Sequence, residues 1–409
     1  MSTAFARQLQ TIAVKSTNEL DLRARRNAHG ESLIFPRDVA VKQDWHTVFQ
    51  ICIEGFYELC QLDTRFRHFE QNLFSEESKD QDRDKLSKSQ NEQLDSVIEQ
   101  CLLLLGPRLV LRPGVKCLEW LVRRFKIHMH NVSTFLCTVL PYHEEKLWVN
   151  VVSIVPKEKL IDALKWVRPY REVNQNVPRH TVVHAMTSND AFFNIYNQYA
   201  LQTAENGYGE KGVFRYWGGI VVEAVSARIN QAKSGRKEIQ RQKTEDVLLK
   251  VLPVLDSGLS ISSAPELVVS CFALCLVMAS TGLLQDNVLD RMMEAASGTL
   301  RYRDMKQEQV LVTLVILAAQ KEQDTVPSRV FREVTQTKEL FNALKDLRPR
   351  YPIQILLRSL LRASLDLIKQ KNVEHRLAFL ETVLQNGPQL TDQAELVKWI
   401  VIVVLISSR

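Results

Sequence analysis

The apolar positions of this chain recur with the period of a helix and almost nowhere with that of a strand. Over residues 44–62 (DWHTVFQICIEGFYELCQL), Val48, Ile51, Cys52, Gly55, Phe56, Leu59 and Cys60 fall on one stripe at i, i+3 and i+4. The stripe predicts an amphipathic helix buried on one face, with Asp44 placed to cap its first turn. Helical patterns also run over 90–105, 113–125, 132–140, 147–155, 188–204 and 213–232. Residues 75–93 (SEESKDQDRDKLSKSQNEQ) carry a single large apolar residue, Leu86, among charges of both signs. They read as a solvated loop or a locally disordered linker. No stretch alternates apolar and polar between hairpin turns, so an all-α fold follows.

The second half of the chain repeats itself. Four very apolar segments begin at Glu266 (ELVVSCFALCLVMAS), Glu308 (EQVLVTLVILAAQKE), Pro352 (PIQILLRSLLRASLD) and Glu395 (ELVKWIVIVVLISS), at offsets of 42, 44 and 43 residues. A more amphipathic helix precedes each, from Asp246, Asn287, Arg329 and Val373. A period in the low forties is that of HEAT and armadillo repeats. One helix pair cannot bury its apolar face alone, and stacked pairs make a continuous core. An irregular bundle is the alternative, and it would have to produce four matched units by accident. The expected architecture is an all-α, HEAT/armadillo-like superhelical solenoid of antiparallel helix pairs. Residues 1–210 form its irregular N-terminal region, interrupted by the charged loop at 75–93, and residues 211–409 hold the regular repeats. The apolar run at 396–406 is eleven residues long and contains Lys398, against about 20 for a membrane span. It reads as a buried helix whose covering neighbour lies past residue 409, as in the front part of a longer protein or a truncated product.

Composition narrows the classes further. The 409 residues are 45% apolar and 24% charged, which excludes disorder over the whole length. Fourteen glycines and thirteen prolines are well below the usual share of roughly 12% for the two together, which excludes collagen-like and turn-rich β folds. Seven cysteines sit in apolar stretches without framework spacing, the usage of free thiols in a reducing compartment. The N-terminus lacks the apolar core of a secretory signal, and Glu19 and Asp21 argue against a mitochondrial presequence. The net charge of +6 is a small difference between 53 basic and 47 acidic residues, so any charged partner must be argued from local patches.

Catalytic and cofactor patterns find little support. Gly207, Gly209 and Gly212 match the dinucleotide spacing G-x-G-x-x-G, but a helical pattern precedes them where a strand is required. They read as a helix–helix turn. His128, His130, Cys117, Cys137 and His143 are scattered singly rather than as paired zinc knuckles. Cys271 and Cys275 lie one turn apart on an apolar helix, where free cysteine is a small hydrophobe. The expectation is no enzyme, no cofactor, no metal, no small-molecule substrate and no membrane partner.

Three basic clusters remain. Helical spacing sets Lys116, Glu119, Arg123 and Lys126 opposite Leu118, Leu121, Val122 and Phe125, and Arg124, His128 and His130 extend the positive face. A second cluster has Arg228, Lys233, Arg236, Lys237, Arg241 and Lys243 against one acid, Glu238. The third surrounds Lys345, Arg348, Arg350, Arg358 and Arg362. The functional reading is phosphate neutralisation on a nucleic acid, assigned to the ten basic residues of the first two clusters. Solvated helix faces, or Arg–Glu ladders between repeats, are the structural alternative for each.

Residues 116–131 (KCLEWLVRRFKIHMHN) resemble a segment of the family of U3 small nucleolar RNA-associated protein 10, also called HEAT repeat-containing protein 1. STAFARQLQTIA at the start, SLIF at 32–35, GFYEL at 55–59, LFSEES at 73–78 and LPYH at 140–143 fit that family in the same order. The resemblance is strong over most of 1–185 and rests mainly on the repeat pattern beyond. It implies a nucleolar scaffold in the UtpA (t-Utp) subcomplex of the small-subunit processome. Implied partners are other UtpA subunits, mostly β-propeller proteins, the 5′ external spacer of pre-ribosomal RNA and the U3 small nucleolar ribonucleoprotein. Implied roles are small-subunit (18S) processing and support of rRNA transcription. Family members are several times longer, so this chain departs from them by ending after nine or ten helix pairs. The family lends no catalytic residues. The rival reading is a protein-only binding solenoid in nuclear transport or signalling, which salt would weaken far less than it weakens RNA binding.

Overall fold

The computed structural model describes residues 31–233, 236–282, 284–368 and 373–391, with Val397, Lys398 and Val401. Helices and turns make up the described residues, and no strand occurs among them. The chain divides into two compact units, Met1–Val213 and Phe214–Arg409.

The first unit is built on α1 (Trp45–Leu62) and α3 (Arg112–Phe125), which pack along each other. Asp44 caps α1, its carboxylate accepting from the Thr47 N–H at 2.6 Å. The apolar stripe is buried as the spacing predicts, with Val48, Cys52, Phe56, Leu59 and Cys60 all in the core. The two helices approach closely at Gly55, where an added Cβ would meet the Lys116 Cβ at 2.8 Å. Further along, Trp120 closes the contact: it is fully buried, lies edge-on to Trp45 and Phe49, and donates Nε1–H to the Leu73 carbonyl at 2.8 Å. Helices α2 (Lys88–Leu105), α4 (Val132–Val139), α5 (Lys146–Ile154), α6 (Arg179–Ser188) and α7 (Asp190–Glu205) pack in the same unit, joined by shorter helical turns. Periodicity locates α2, α4, α5 and α7 within a residue or two and passes over α6. That helix follows Pro178 and buries only the short set Val182, Ala185, Met186 and Thr187.

Residues 75–93 differ from the solvated loop or disordered linker that their composition suggests. They fold as two short 3-10 turns, Glu76–Lys79 and Arg83–Lys85, followed by the start of α2. Ser87 and Gln90 form a reciprocal capping box at that start. The segment is held from beneath by Arg83, whose buried guanidinium donates to the Phe125 carbonyl at 3.0 Å and to Asn131 Oδ1 at 3.2 Å, and pairs with Asp95. One buried cation among many exposed charges is invisible to a composition count.

The second unit contains α8 (Lys211–Ala232), most of which belongs to it, α9 (Lys237–Ser260), α10 (Pro265–Ala279), α11 (Asp286–Gly298), α12 (Gln307–Ala319), α13 (Ser328–Thr335), α14 (Leu340–Leu347), α15 (Ile353–Ile368) and α16 (Val373–Leu390). Contacts run in two layers. Helices α10, α12 and α15 pack successively on one another, while α9, α11 and α13 do the same in the second layer. Helix α12 is covered by α10 behind, by α15 ahead and by α11 of the second layer, which explains why its sequence is apolar nearly all round. Leu311, Leu314, Val315 and Leu317 of α12 are all fully buried. Helix α8 comes so close to α10 that a Cβ at Gly218 would sit 2.5 Å from the Ser270 Cβ.

Polar contacts hold the stack together both within and between repeats. Arg291 bonds Asp256 at 2.6 Å, Lys321 pairs with Asp290, and Arg358 reaches Asp324 at 3.3 Å. The Tyr302 hydroxyl donates to the Leu259 carbonyl at 2.7 Å, one period away. The repeat unit from Arg329 departs from the single amphipathic helix its pattern predicts. It breaks into α13 and α14 at Glu339, which adopts a left-handed φ of 52°. The apolar segment from Glu395, including 396–406, lies outside the described residues apart from Val397, Lys398 and Val401.

Candidate nucleic-acid interface

The two basic clusters occupy different environments. In the first, α3 buries Glu119 and Arg123, exposed by 0% and 1%. Their charged groups lie 3.5 Å apart, one helical turn from each other. Glu119 accepts the Ser32 hydroxyl and the Leu33 N–H, each at 2.6 Å. Arg123 donates to Gln43 Oε1 at 2.6 Å and to the Ala40 carbonyl at 2.8 Å. The pair thus clamps both ends of the segment 32–43 onto α3. Burial pushes the Glu119 carboxyl up and the Arg123 guanidinium down, each against its charged form, and their mutual attraction opposes both shifts.

This corrects the expectation of a positive α3 face. Arg123 is an internal clamp, and a phosphate cannot reach it in this fold. Arg124 is half-buried, lies over the Trp45 ring at 4.8 Å and donates to the Gln81 carbonyl. Lys126, left-handed at φ 51° where α3 ends, bonds Asp84 at 2.8 Å and holds that carboxyl below its usual range. Lys116 stands 3.5 Å from Glu54 and 3.9 Å from Glu58. The sequence places these cations on one helix but gives no view of the carboxylates that the fold brings opposite them.

His128 is buried as well, and burial lowers its pKa to about 4. It is neutral at pH 7 and adds nothing to a positive face. An unfolded histidine titrates near 6.5, so between these values the unfolded chain binds the extra proton. Stability is therefore fully present above about pH 6.5 and falls as the pH drops toward 4. Urea titrations at pH 7 and pH 5 should differ by about 2 kcal/mol more in the wild type than in His128→Leu. Equal pH dependence in the two proteins would show that His128 is solvated.

The second cluster is open. Lys233 follows the end of α8, Arg236 stands at the N-cap of α9, and Lys237, Arg241 and Lys243 lie in its first two turns; all five are exposed, whereas Arg228 is buried. Among the described residues the only ion pair these five make is Arg241 to Glu245 at 3.4 Å, both solvent-exposed. Every residue over 236–243 is exposed except the half-buried Gln240, and Thr244 is the first residue of α9 in the core. Ile239 is 46% exposed on the same turns. It escapes a search for charge, and its signal is an apolar residue set among cations.

Four of the five cations of the third cluster take the structural reading. Arg358 and Arg362 face Asp324 at 3.3 and 3.7 Å, and Lys345 and Arg348 bond Gln389 at 3.1 and 2.9 Å. The glycines of 207–212 connect α7 to α8, with Gly207 at φ 66° and its carbonyl accepting from Arg65. His143 Nδ1 bonds the Val177 carbonyl at 2.6 Å, and the seven cysteines are buried and unpaired. No group of three metal-ligating side chains converges among the described residues. No described helix is long and apolar enough to cross a membrane.

These features define a class: an all-α protein whose second unit is a HEAT-like stack of helix pairs. A family model for U3 small nucleolar RNA-associated protein 10 matches residues 247–364, within that stack. The chain is 41% identical to the U3 small nucleolar RNA-associated protein 10 of Aspergillus fumigatus, over 97% of its own length and 22% of that protein. It is 40% identical to that of Aspergillus oryzae over 100% and 22%, and 39% identical to that of Coccidioides immitis over 95% and 21%. The chain belongs to this family, and it spans about a fifth of the length of these relatives.

Proposed function

We propose that the chain is a non-enzymatic scaffold in nucleolar ribosome biogenesis, acting with the U3 small nucleolar ribonucleoprotein. The observation that carries this reading is the match at about 40% identity, over nearly the whole chain, to proteins named for association with U3 RNA. The fold suits the role. A stack in which each repeat contacts its neighbours presents a long surface, and several partners can be arranged along it. In this reading the partners are pre-ribosomal RNA at its 5′ external spacer and other UtpA subunits, including β-propeller proteins. The outcome is small-subunit 18S processing and support of rRNA transcription in the nucleolus.

The test is recovery of RNA with the tagged chain from cells, with and without ultraviolet crosslinking. U3 RNA and the 5′ external spacer should be enriched at least tenfold over a spliceosomal RNA. Recovery of both RNAs at the level of that control would overturn the reading.

A further inference from the structure

We infer that the first two turns of α9 are a grip for the RNA sugar-phosphate backbone, made by Arg236, Lys237, Arg241 and Lys243 with Lys233 alongside. The inference deepens the proposed function and rests on its RNA reading. Three observations carry it.

The first is geometric. Seven residues precede Thr244 in α9 without entering the core, and at a rise of 1.5 Å per residue they extend the helix about 10 Å past its packing. A rotation of about 100° per residue sets Lys237, Arg241 and Lys243 on the same half of the helix as the buried Thr244, Val247 and Leu248. Glu238, Glu245 and Asp246 fall on the other half. The side that packs inward further along the helix thus becomes a cationic side where the packing stops.

The second is energetic. The start of a helix carries the positive end of its dipole, and cations there are disfavoured. Arg236 stands at the N-cap of α9 and Lys237 in the first turn, with Glu238 as the only acid. Lys233, Arg236, Lys237 and Lys243 have no carboxylate partner among the described residues. Local stability gives no reason for this crowding, whereas an anion laid across the helix start satisfies both the cations and the free N–H groups.

The third is the contrast with α3. There Lys116, Arg123, Arg124 and Lys126 are each spent on a carboxylate, a carbonyl or a ring. Electrostatic availability separates the two clusters where charge counting treats them alike. No aromatic residue lies within 228–243, so the grip holds the backbone without stacking on bases and is indifferent to sequence.

The test uses the purified chain and a fluorescein-labelled 20-nucleotide oligouridylate, titrated by anisotropy from 50 to 200 mM salt. With five cations engaged, log K should fall against log salt with a slope of roughly −3.5. The variant R236Q/K237Q/R241Q/K243Q should bind at least tenfold more weakly at 100 mM salt, with a slope of about −1 or shallower. Because these side chains are exposed, its circular dichroism and melting should match the wild type, which keeps loss of binding separate from loss of fold. K116Q/K126Q should stay within about twofold of wild type, those cations being already paired. Wild-type affinity in the quadruple variant would overturn the site, as would a wild-type chain that binds no RNA at 50 mM salt. Displacement of the RNA by a polyglutamate peptide of equal charge at equal concentration would overturn it in favour of an acidic protein partner. U3 recovery from cells reads the proposed function separately: if it persists while oligouridylate binding is absent, only the grip fails.

Discussion

Alanine at position 123 should destabilise the first unit by about 3–5 kcal/mol, the cost of breaking a buried ion pair from one side. The guanidinium now holds Gln43, the Ala40 carbonyl and the Glu119 carboxylate in a site with no access to water. Its loss leaves Glu119 buried beside the Ser32 and Leu33 donors alone and frees the far end of segment 32–43. Urea unfolding followed by circular dichroism gives the value. The paired variant Glu119→Leu/Arg123→Met removes both charges together and should recover part of the loss, because an apolar pair of similar volume carries no desolvation penalty. Both substitutions should leave oligouridylate affinity per folded molecule unchanged. A fully stable Arg123→Ala protein with weakened RNA binding would return α3 to the role its sequence suggests.

Trp120→Ala should cost a similar amount, about 3–5 kcal/mol, through the cavity left by a fully buried indole. The ring fills the contact between α1 and α3, edge-on to Phe49 at 5.1 Å and to Trp45 at 6.1 Å between centroids. Its Nε1–H also satisfies the Leu73 carbonyl. Trp120→Phe separates these contributions. It keeps most of the packing and loses the hydrogen bond, for which about 1–3 kcal/mol is expected, since the carbonyl is left unsatisfied. Equal losses in the two variants, measured by the same unfolding curves, would place the energy in the hydrogen bond rather than in the cavity.

The segment that most closely resembles the family, EWLVRRF, is therefore legible for a structural reason. Glu119, Trp120, Leu121, Val122, Arg123 and Phe125 are all buried; each is fixed by what it touches, and together they leave a recognisable string. The same residues mislead a search for function. Alternating charges on a helix read as a solvated face, and nothing local reveals that Ser32, Gln43 and the backbone of residue 40 come to meet them. Composition misleads in the other direction at 75–93, where Arg83 pins a highly charged segment to the fold.

Most helix positions were determined by the sequence alone, α6 and the break between α13 and α14 excepted, because a side chain's neighbours three and four residues away are set by the helical period itself. The stacking of helix pairs followed from the same local fact. Helices apolar on nearly every side need cover on every side, and a period in the low forties supplies it from the next repeat. Which cations remain available was decided only by the tertiary structure. A charge is free or spent according to the groups that the fold brings within a few ångströms. For Arg123 those groups lie about 80 residues away in the chain, whereas for Lys237 and Lys243 the fold brings no carboxylate partner among the described residues.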